Sequence, residues 1–548
     1  MKKICLLAVF FGCVCTGIAQ HAKLTLSEEF KIKETEYKHQ TIARSLYHKD
    51  HFFAATNSVI TNSKWFFTKL YDTEFSIRIA KFDKAMNVTR ELELEGGRKV
   101  FGPIFPELLL VGENLYLAYC KADNKESFSV YIAQVDENTL ELSGSKKVCT
   151  IQQENVGVFK LLSVITSGLV HLVVSPDGKK LLAACRVAPN KLQTYIIDDQ
   201  LNIRKQADVS LSVESYRFRS VAFSHLDVTC MLISADDELR VLAFGPTGKK
   251  TETRLNPADA DARPSRTAIL LSRDGTYFNI SASTAITASD RADCTGFMLA
   301  KLDCASLRLS KPITYQFTPE FIEKISRDGG GTKRKGSYHL HDFLPVLLEL
   351  EDGRLVVLGS SEHEYTKEST DVRVRRDGST ESRTTSTTIY QSGPIFVVYP
   401  GTEKKLLNYT AFPRRIRFQQ QASSGTGGAI QVVTSRSISR SSSNFVAAGL
   451  GKQIVVIYND EEDNLSRDLD GKVVTTRTTS DFVLAEGLVD AEGKLLYRKQ
   501  IGANLDKRKT YYLGHAVPTS APALVFPVGK ETIGLKNLYS NWCFVTIE

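Results

Sequence analysis

Residues 352–360 read Asp-Gly-Arg-Leu-Val-Val-Leu-Gly-Ser, a tight-turn dipeptide leading straight into a short β-branched and aliphatic run. That run is too short for a stable helix, and an Asp-Gly turn feeding it is the pattern of a hairpin. The unit recurs toward the N-terminus as DGTYFNIS from Asp274, DDELRVLAF from Asp236, DGKKLLAAC from Asp177 and GENLYLAYC from Gly112. It recurs toward the C-terminus as GKQIVVIYND from Gly451, with weaker copies at Asn62 (NSKWFFTKL) and Gly529 (GKETIGLKN). Each copy anchors one repeat, so the chain holds roughly eight.

A second strand ending in a polar turn follows many anchors, as in FSIRIAKFD from Phe75, FSVYIAQVD from Phe128, LQTYIIDD from Leu192, GFMLAKLD from Gly296 and GPIFVVYPG from Gly393. DFVLAEGLVD from Asp481 is another, and LLYRKQI from Leu495 reads as a third strand. Apolar runs of this length bounded by Gly, Asp and Asn are strands. The best helical candidate, PEFIEKISRDG from Pro319, is one short helix. Units of three or four strands cannot bury their faces alone and must stack. The expected fold is therefore an all-β β-propeller of seven or eight blades with long hairpin insertions, formed by residues 20–548 as one domain. Tandem β-sandwiches are the rival, but no stretch reads as an interdomain linker.

Three polar insertions stand out: about 365–388 (with VRVRRDGSTESRTTSTT), about 419–444 (with SSGTGG and SRSISRSSS), and about 461–479. The first and third alternate Thr, Val and Arg around an Asp-Gly and read as protruding hairpins. Such loops are solvated, and loops on one rim are also where a scaffold presents binding surface.

The N-terminus opens with Met1-Lys2-Lys3, continues with an apolar run from Ile4 to about Val14, and then reads Thr16-Gly17-Ile18-Ala19. This is a secretory signal peptide, cleaved after Ala19, and its apolar run is too short to span a bilayer. A lipoprotein signal acylated at Cys13 is the alternative, with Phe10 and Phe11 poorly suited to it. No other stretch is long and apolar enough to cross a membrane. The chain is expected to be exported, to the periplasm, the outer-membrane surface or the medium. The net charge of +8 falls by two with Lys2 and Lys3, which supports no nucleic-acid partner. Apolar content of 42% is that of a globular chain.

Seven cysteines follow the leader: Cys120, Cys149, Cys185, Cys230, Cys294, Cys304 and Cys543. Several sit in apolar strand-like runs and read as small buried hydrophobes. Cys294 and Cys304 flank a single strand that holds them roughly 30 Å apart, beyond bridging distance. A disulfide framework is not expected.

The sequence has no GxSxG, HExxH or Walker loop. GPTGKKT from Gly245 is too short for a phosphate loop and lies in a turn with no helix after it. His339-Leu340-His341 places two imidazoles on one strand face, where they could bind a metal with His363, and Glu364 beside it, from the next strand. Hydrogen-bonded imidazoles on a packed strand explain the same pattern. The acidic group Asp460, Glu461, Glu462, Asp463, Asp468 and Asp470 before Gly471 departs from calcium-loop spacing and reads as a solvated hairpin. Trp65 and Trp542 lie in strand-like runs, so no exposed tryptophan platform for sugar is supported.

From Tyr338 to about Asn464 the chain resembles a family of uncharacterised exported proteins of Bacteroidetes bacteria. The resemblance rests on His341-Asp342-Phe343, then Asp352-Gly353 with RLVVLGSSE, Tyr390 before GPIFVVYPG, and Asn459-Asp460 at a strand end. It covers about a quarter of the chain. Val398, Tyr399, Leu407 and Tyr409 stand where that group's usual pattern differs. The resemblance implies a propeller-like fold and no known activity or catalytic residues. The residues favour a non-enzymatic binding or scaffold protein, with a protein or glycan of the cell envelope as partner and no cofactor identified. A hydrolase or lyase acting on glycans or peptides at the propeller channel is the alternative.

Overall fold

A computed structural model of the chain describes residues 22–26, 38–61, 73–98, 104–123, 126–152, 169–235, 238–257, 262–288, 291–327, 331–334, 336–374, 377, 380–401, 404–425, 444–466, 473–477, 482–501, 509–511, 517–518, 523–531 and 537–547. Residues 1–21 with Cys13, the anchor at 62–70 with Trp65, and the Ser/Arg-rich stretch 426–443 lie outside these residues, as do Asp468 and Asp470.

The described residues form eight sheets, in an all-β, multi-bladed, propeller-like arrangement. The second is typical: Ile104–Val111, Asn114–Ala122, Ser127–Val135 and Leu142–Gln152 pair in chain order, each antiparallel to the last. The first, third, fourth and seventh sheets repeat this four-strand meander. The first strand of each sheet packs on the first strand of the next, from Lys38–His48 against Ile104–Val111 through to Val346–Glu349 against Phe445–Leu450. Two of them, Val170–Val174 and Phe445–Leu450, stay half-exposed along their whole length. The eighth sheet joins both chain ends: Ala22–Leu26 pairs antiparallel with Asn537–Ile547, register Ala22 to Ile547. Lys38–His48 of the first sheet packs on Ala523–Glu531 and Asn537–Ile547 of the eighth.

Apolar alternation drives this stacking. Separate apolar clusters fill the successive interfaces from first–second to seventh–eighth. Between the second and third sheets, for example, Leu109, Phe128 and Ile151 meet Leu181, Ala183 and Ile197. Each fully buried large side chain contributes about 1.5–3 kcal/mol, so neither face of a sheet is stable alone. Cys120, Cys149, Cys185, Cys230, Cys294 and Cys304 are free and buried in these layers, as expected.

The anchor turns at Gly112, Asp177, Asp274, Asp352 and Gly451 each join the first and second strands of a sheet and so lie at one end, whereas the Asp236 anchor falls between the second and third strands of the fourth sheet and Gly529 lies inside the strand Ala523–Glu531. In the third and fifth sheets the anchor turns share one construction. Ser175 Oγ donates to Asp177 Oδ1 at 2.6 Å and accepts from the Lys180 amide at 3.0 Å. Ser272 Oγ does the same with Asp274 (2.6 Å) and the Tyr277 amide (3.1 Å). Gly178 and Gly275 both hold φ of 71°, which a side chain resists.

Gly359, inside the anchor strand of the sixth sheet, is required for a different reason. A Cβ there would lie 2.3 Å from the Phe343 ring and 2.7 Å from that of Phe396. Both rings belong to the packed layer between the fifth and sixth sheets. Gly359→Ala is expected to cost about 1–3 kcal/mol by overpacking, read as a lower urea midpoint with an unchanged slope.

The opposite end carries the insertions. Leu355–Val374 and Thr380–Pro400 form a hairpin of 20- and 21-residue strands, as the Thr/Val/Arg alternation implied. Its upper half gains a third strand, Arg415–Gly425, on Thr380–Pro400. In the fifth sheet, Thr318 caps the short helix Pro319–Ile325, its side chain accepting from the Phe321 amide, and Phe321 and Ile325 are buried. The stretch expected as a third hairpin differs. After Gln453–Glu461 comes a helical turn, Glu462–Leu465, and the chain then returns to the sixth sheet at Thr475–Thr476, parallel to Arg415–Gly425. Asn464 causes the turn: its side chain donates to the Val474 carbonyl (3.1 Å) and accepts from the Val474 amide (2.8 Å).

Candidate functional site

Bulges aim side chains at this insertion end. The first strands of the first, second, fourth and fifth sheets all slip register near their starts, between Pro264 and Thr267 in the fifth. The anchor strand of the sixth sheet slips between Ser360 and Glu362. A bulge re-aims a side chain without ending the pairing. Here Arg266 Nη1 meets Glu362 Oε2 at 2.7 Å, and Arg266 Nε lies 3.6 Å from Asp342 Oδ2. Asp342 also accepts from Ser265 Oγ (2.6 Å), Ser283 Oγ (2.6 Å) and the Phe343 amide (2.9 Å). Burial draws the Arg266 guanidinium down, but Glu362 and Asp342 outweigh it and its pKa lies above the ordinary value.

The three histidines divide. His341 and His363 stack face to face, ring centroids 4.1 Å apart and planes 8° apart, and Tyr365 stacks on His363 at 4.9 Å. His339 turns instead to Asp293, its Nδ1 3.0 Å from Oδ2. A metal ion needs nitrogen lone pairs that converge in the ring planes, whereas stacked parallel rings direct theirs side by side. Among the described residues no group of three or more His, Cys, Asp or Glu side chains is placed to hold a metal ion. The expected donor set of His339, His341 and His363 is thus split, and Glu364 pairs in register with Tyr390 on the hairpin.

Sequence reasoning missed a second, wholly buried cluster between the sixth and seventh sheets. Arg414 and Asp460 are both 0% exposed. Arg414 Nη2 donates to Ser360 Oγ (3.0 Å) and Ser392 Oγ (3.1 Å), and its Nε to the Gly393 carbonyl at 3.4 Å. Burial lowers its pKa against the opposing charge of Asp460. Asp460, expected in a solvated hairpin, accepts at Oδ1 from Asn464 Nδ2 and the Glu461 amide, both at 2.8 Å. Counting by twos exposes both residues: Arg414 shares parity with Phe412, Ile416 and Phe418, and Asp460 with Ile454, Val456 and Tyr458.

Burial pushes the Asp460 carboxyl up from an ordinary 3.8 to about 6, overriding its two donors and the Arg414 and Arg498 charges. A raised carboxyl pKa means that the folded state holds the proton more tightly. Its stabilising contribution is full below about pH 4, declines as pH rises to about 6, and is absent above. The span of about two pH units corresponds to about 3 kcal/mol. Asp460→Asn is expected to remove that decline, so the stability of the variant relative to the parent rises between pH 4 and 7. Urea unfolding across this range measures it.

Further out, a pocket of about 330 Å³ is lined by Arg417, Phe418, Gln419 and Arg477. It lies beside Arg415–Gly425, just past the Thr475–Thr476 pairing.

No family model and no curated protein matches the chain. Solved structures resemble it distantly. Prolyl oligopeptidase B from Galerina marginata is 12% identical over 59% of this chain and 46% of its own, with a TM-score of 0.28. This chain therefore spans less than half the length of that oligopeptidase. The periplasmic gluconolactonase PpgL from Pseudomonas aeruginosa is 14% identical over 71% of this chain and 96% of its own, TM-score 0.32. The β-propeller domain of the Trilobed protease from Pyrococcus furiosus is 10% identical over 84% and 97%, TM-score 0.30. Likeness at this level carries no argument about activity. Among the described residues no helix is long and apolar enough to cross a membrane.

Proposed function

We propose that this chain is an exported, single-domain propeller closed as a ring of eight blades, which binds a protein or glycan of the cell envelope through its insertion face. Residues 1–19 are the signal peptide in this reading and 20–548 the ring. Cleavage after Ala19 leaves the Ala22–Leu26 strand whole to complete the eighth sheet. The packing of Lys38–His48 on that sheet supports closure.

One observation carries the binding reading: the sixth-sheet hairpin is by far the longest among the described residues, and its outer strand is exposed from Thr366 to Val374, apart from its pairing with Thr380–Thr388. An exposed strand of that kind offers main-chain groups and alternating side chains to a partner. Capture from an envelope extract tests it. The intact mature chain is expected to retain partners that a chain lacking 365–388 loses, and an identical partner list from both defeats the reading.

The second reading is a hydrolase or lyase working at Arg266, Asp342 and Glu362, with His341 and His363, and His339 nearby, as metal ligands. What favours it is the convergence of two carboxylates and a guanidinium at the insertion end. Against it, Asp342 already accepts three hydrogen bonds beside Arg266, the state of a positioning group rather than of a proton carrier. Hydrolysis of glycan or peptide substrates that stops in Asp342→Asn and Glu362→Gln, with stoichiometric metal in the purified protein, would establish this second reading.

A further inference from the structure

We infer that the pocket of Arg417, Phe418, Gln419 and Arg477 is a binding site for a small oxyanion-bearing ligand, a carboxylate, phosphate or sulfate. The inference rests on the proposed binding face and names the chemistry it selects.

The register brings the two cations together. Arg415 pairs with Thr475 and Ile416 with Thr476 in a parallel ladder, so Arg417 and Arg477 stand next along the same rungs. Like charges placed opposite one another across strands repel. Elsewhere in the chain such cations have partners, as Arg240 has Glu252 at 2.8 Å and Arg266 has Glu362 at 2.7 Å. Among the described residues, neither Arg417 nor Arg477 has a carboxylate partner. The Arg417 Nε is moreover buried with no hydrogen-bond partner. A buried donor left unsatisfied costs about 1–3 kcal/mol, more when charged.

An oxyanion between the two guanidiniums removes both penalties at once. The guanidinium presents its donors as a planar fork that matches two oxygens of a carboxylate, phosphate or sulfate. The volume of about 330 Å³ exceeds a bare ion and suits a sugar-sized molecule. Gln419 adds an amide for neutral hydroxyls, and Phe418 an aromatic wall for the uncharged part. Beyond Ile416 the outer edge of Arg415–Gly425 has no paired strand among the described residues, which leaves main-chain donors beside the pocket.

Isothermal titration of the full mature chain at fixed ionic strength in chloride tests this. The probes are glucuronate, inorganic phosphate, inorganic sulfate and neutral glucose. At least one oxyanion is expected to bind and glucose is not. Glucuronate binding more tightly than either inorganic ion identifies an acidic saccharide, and the reverse identifies a free anion. Arg417→Gln and Arg477→Gln should each weaken binding ~10-fold or more, while Arg417→Lys loses less. Arg477 is exposed, so its variant reports on binding even if Arg417→Gln is poorly folded. No oxyanion heat above the chloride background, or undiminished affinity in Arg477→Gln, overturns the assignment. If the oxyanions fail while capture from envelope extract still depends on 365–388, the anion site falls and the binding face stands. If they bind while capture is indifferent to 365–388, the binding face falls and the anion site stands.

Discussion

A chain that begins at Lys38 is expected to lose about 3 kcal/mol of stability, and a peptide of residues 20–28 added in trans is expected to restore much of it. The strand Ala22–Leu26 supplies the outer edge of the eighth sheet through five register pairs with Cys543–Ile547. Ala22 and Leu24 pack on Val455, Ile457, Leu484 and Leu488 of the seventh sheet. Fully burying one Leu contributes about 1.5–3 kcal/mol, and the half-buried Leu24 about half of that. The Ala22 amide also donates to Glu486 Oε2 at 2.9 Å, and Glu486 is 0% exposed. Tyr497 Oη holds the other oxygen at 2.5 Å. Removing a donor from a buried carboxylate costs about 1.5–3 kcal/mol more. Domains are stable by only about 5–15 kcal/mol, so the truncated chain sits near the edge of folding. Thermal unfolding with and without the peptide measures this. A truncated chain that melts with the parent, unaffected by peptide, would mean that the eighth sheet does not depend on the strand Ala22–Leu26.

Arg414→Ala is the second large effect, expected at about 3–5 kcal/mol. The guanidinium is enclosed between the sixth and seventh sheets and satisfies Ser360, Ser392 and the Gly393 carbonyl. Truncation leaves a cavity, removes the donor shared by two buried hydroxyls, and withdraws positive charge from near Asp460. The loss is expected to be larger above pH 6, where Asp460 is ionised, than at pH 4.5. Pairing Arg414→Ala with Asp460→Asn in a double-mutant cycle isolates that share, because removing the carboxylate leaves only the cavity and hydroxyl terms. Arg414→Met, which keeps most of the volume, should lose clearly less. A loss below about 1 kcal/mol for Arg414→Ala would show that this cluster is not what joins the two sheets.

The fold was legible where one physical rule acts locally. Asp177-Gly178, Asp274-Gly275 and Asp352-Gly353 each announce a turn, and the apolar run after each is too short to be anything but a strand. The 365–388 hairpin was legible for the same reason, since alternation of small β-formers around a turn specifies both its strands. Tertiary placement was not. His339 and His341 share a strand face, but the bulges and the stacking of His363 on His341 sent His339 to Asp293. The 461–479 stretch carried hairpin composition, but its described part holds a helical turn at Glu462–Leu465, where the Asn464 side chain binds the Val474 main chain. Arg414 and Asp460 left a readable mark, a charge at an inward parity, though not the fact that they would face one another across two sheets. Arg417 and Arg477 are 60 positions apart in sequence and meet only through a two-residue parallel ladder, which no local pattern encodes.

The proposed binding face is tested most directly by photo-crosslinking in envelope extract. One crosslinker stands at Thr370 on the hairpin and another at Thr276 in the turn at the opposite end of the sheets, both exposed positions. The expected result is a discrete adduct from Thr370 and none from Thr276. Adducts of equal yield from both positions, or from Thr276 alone, would contradict a single working face at the insertion end.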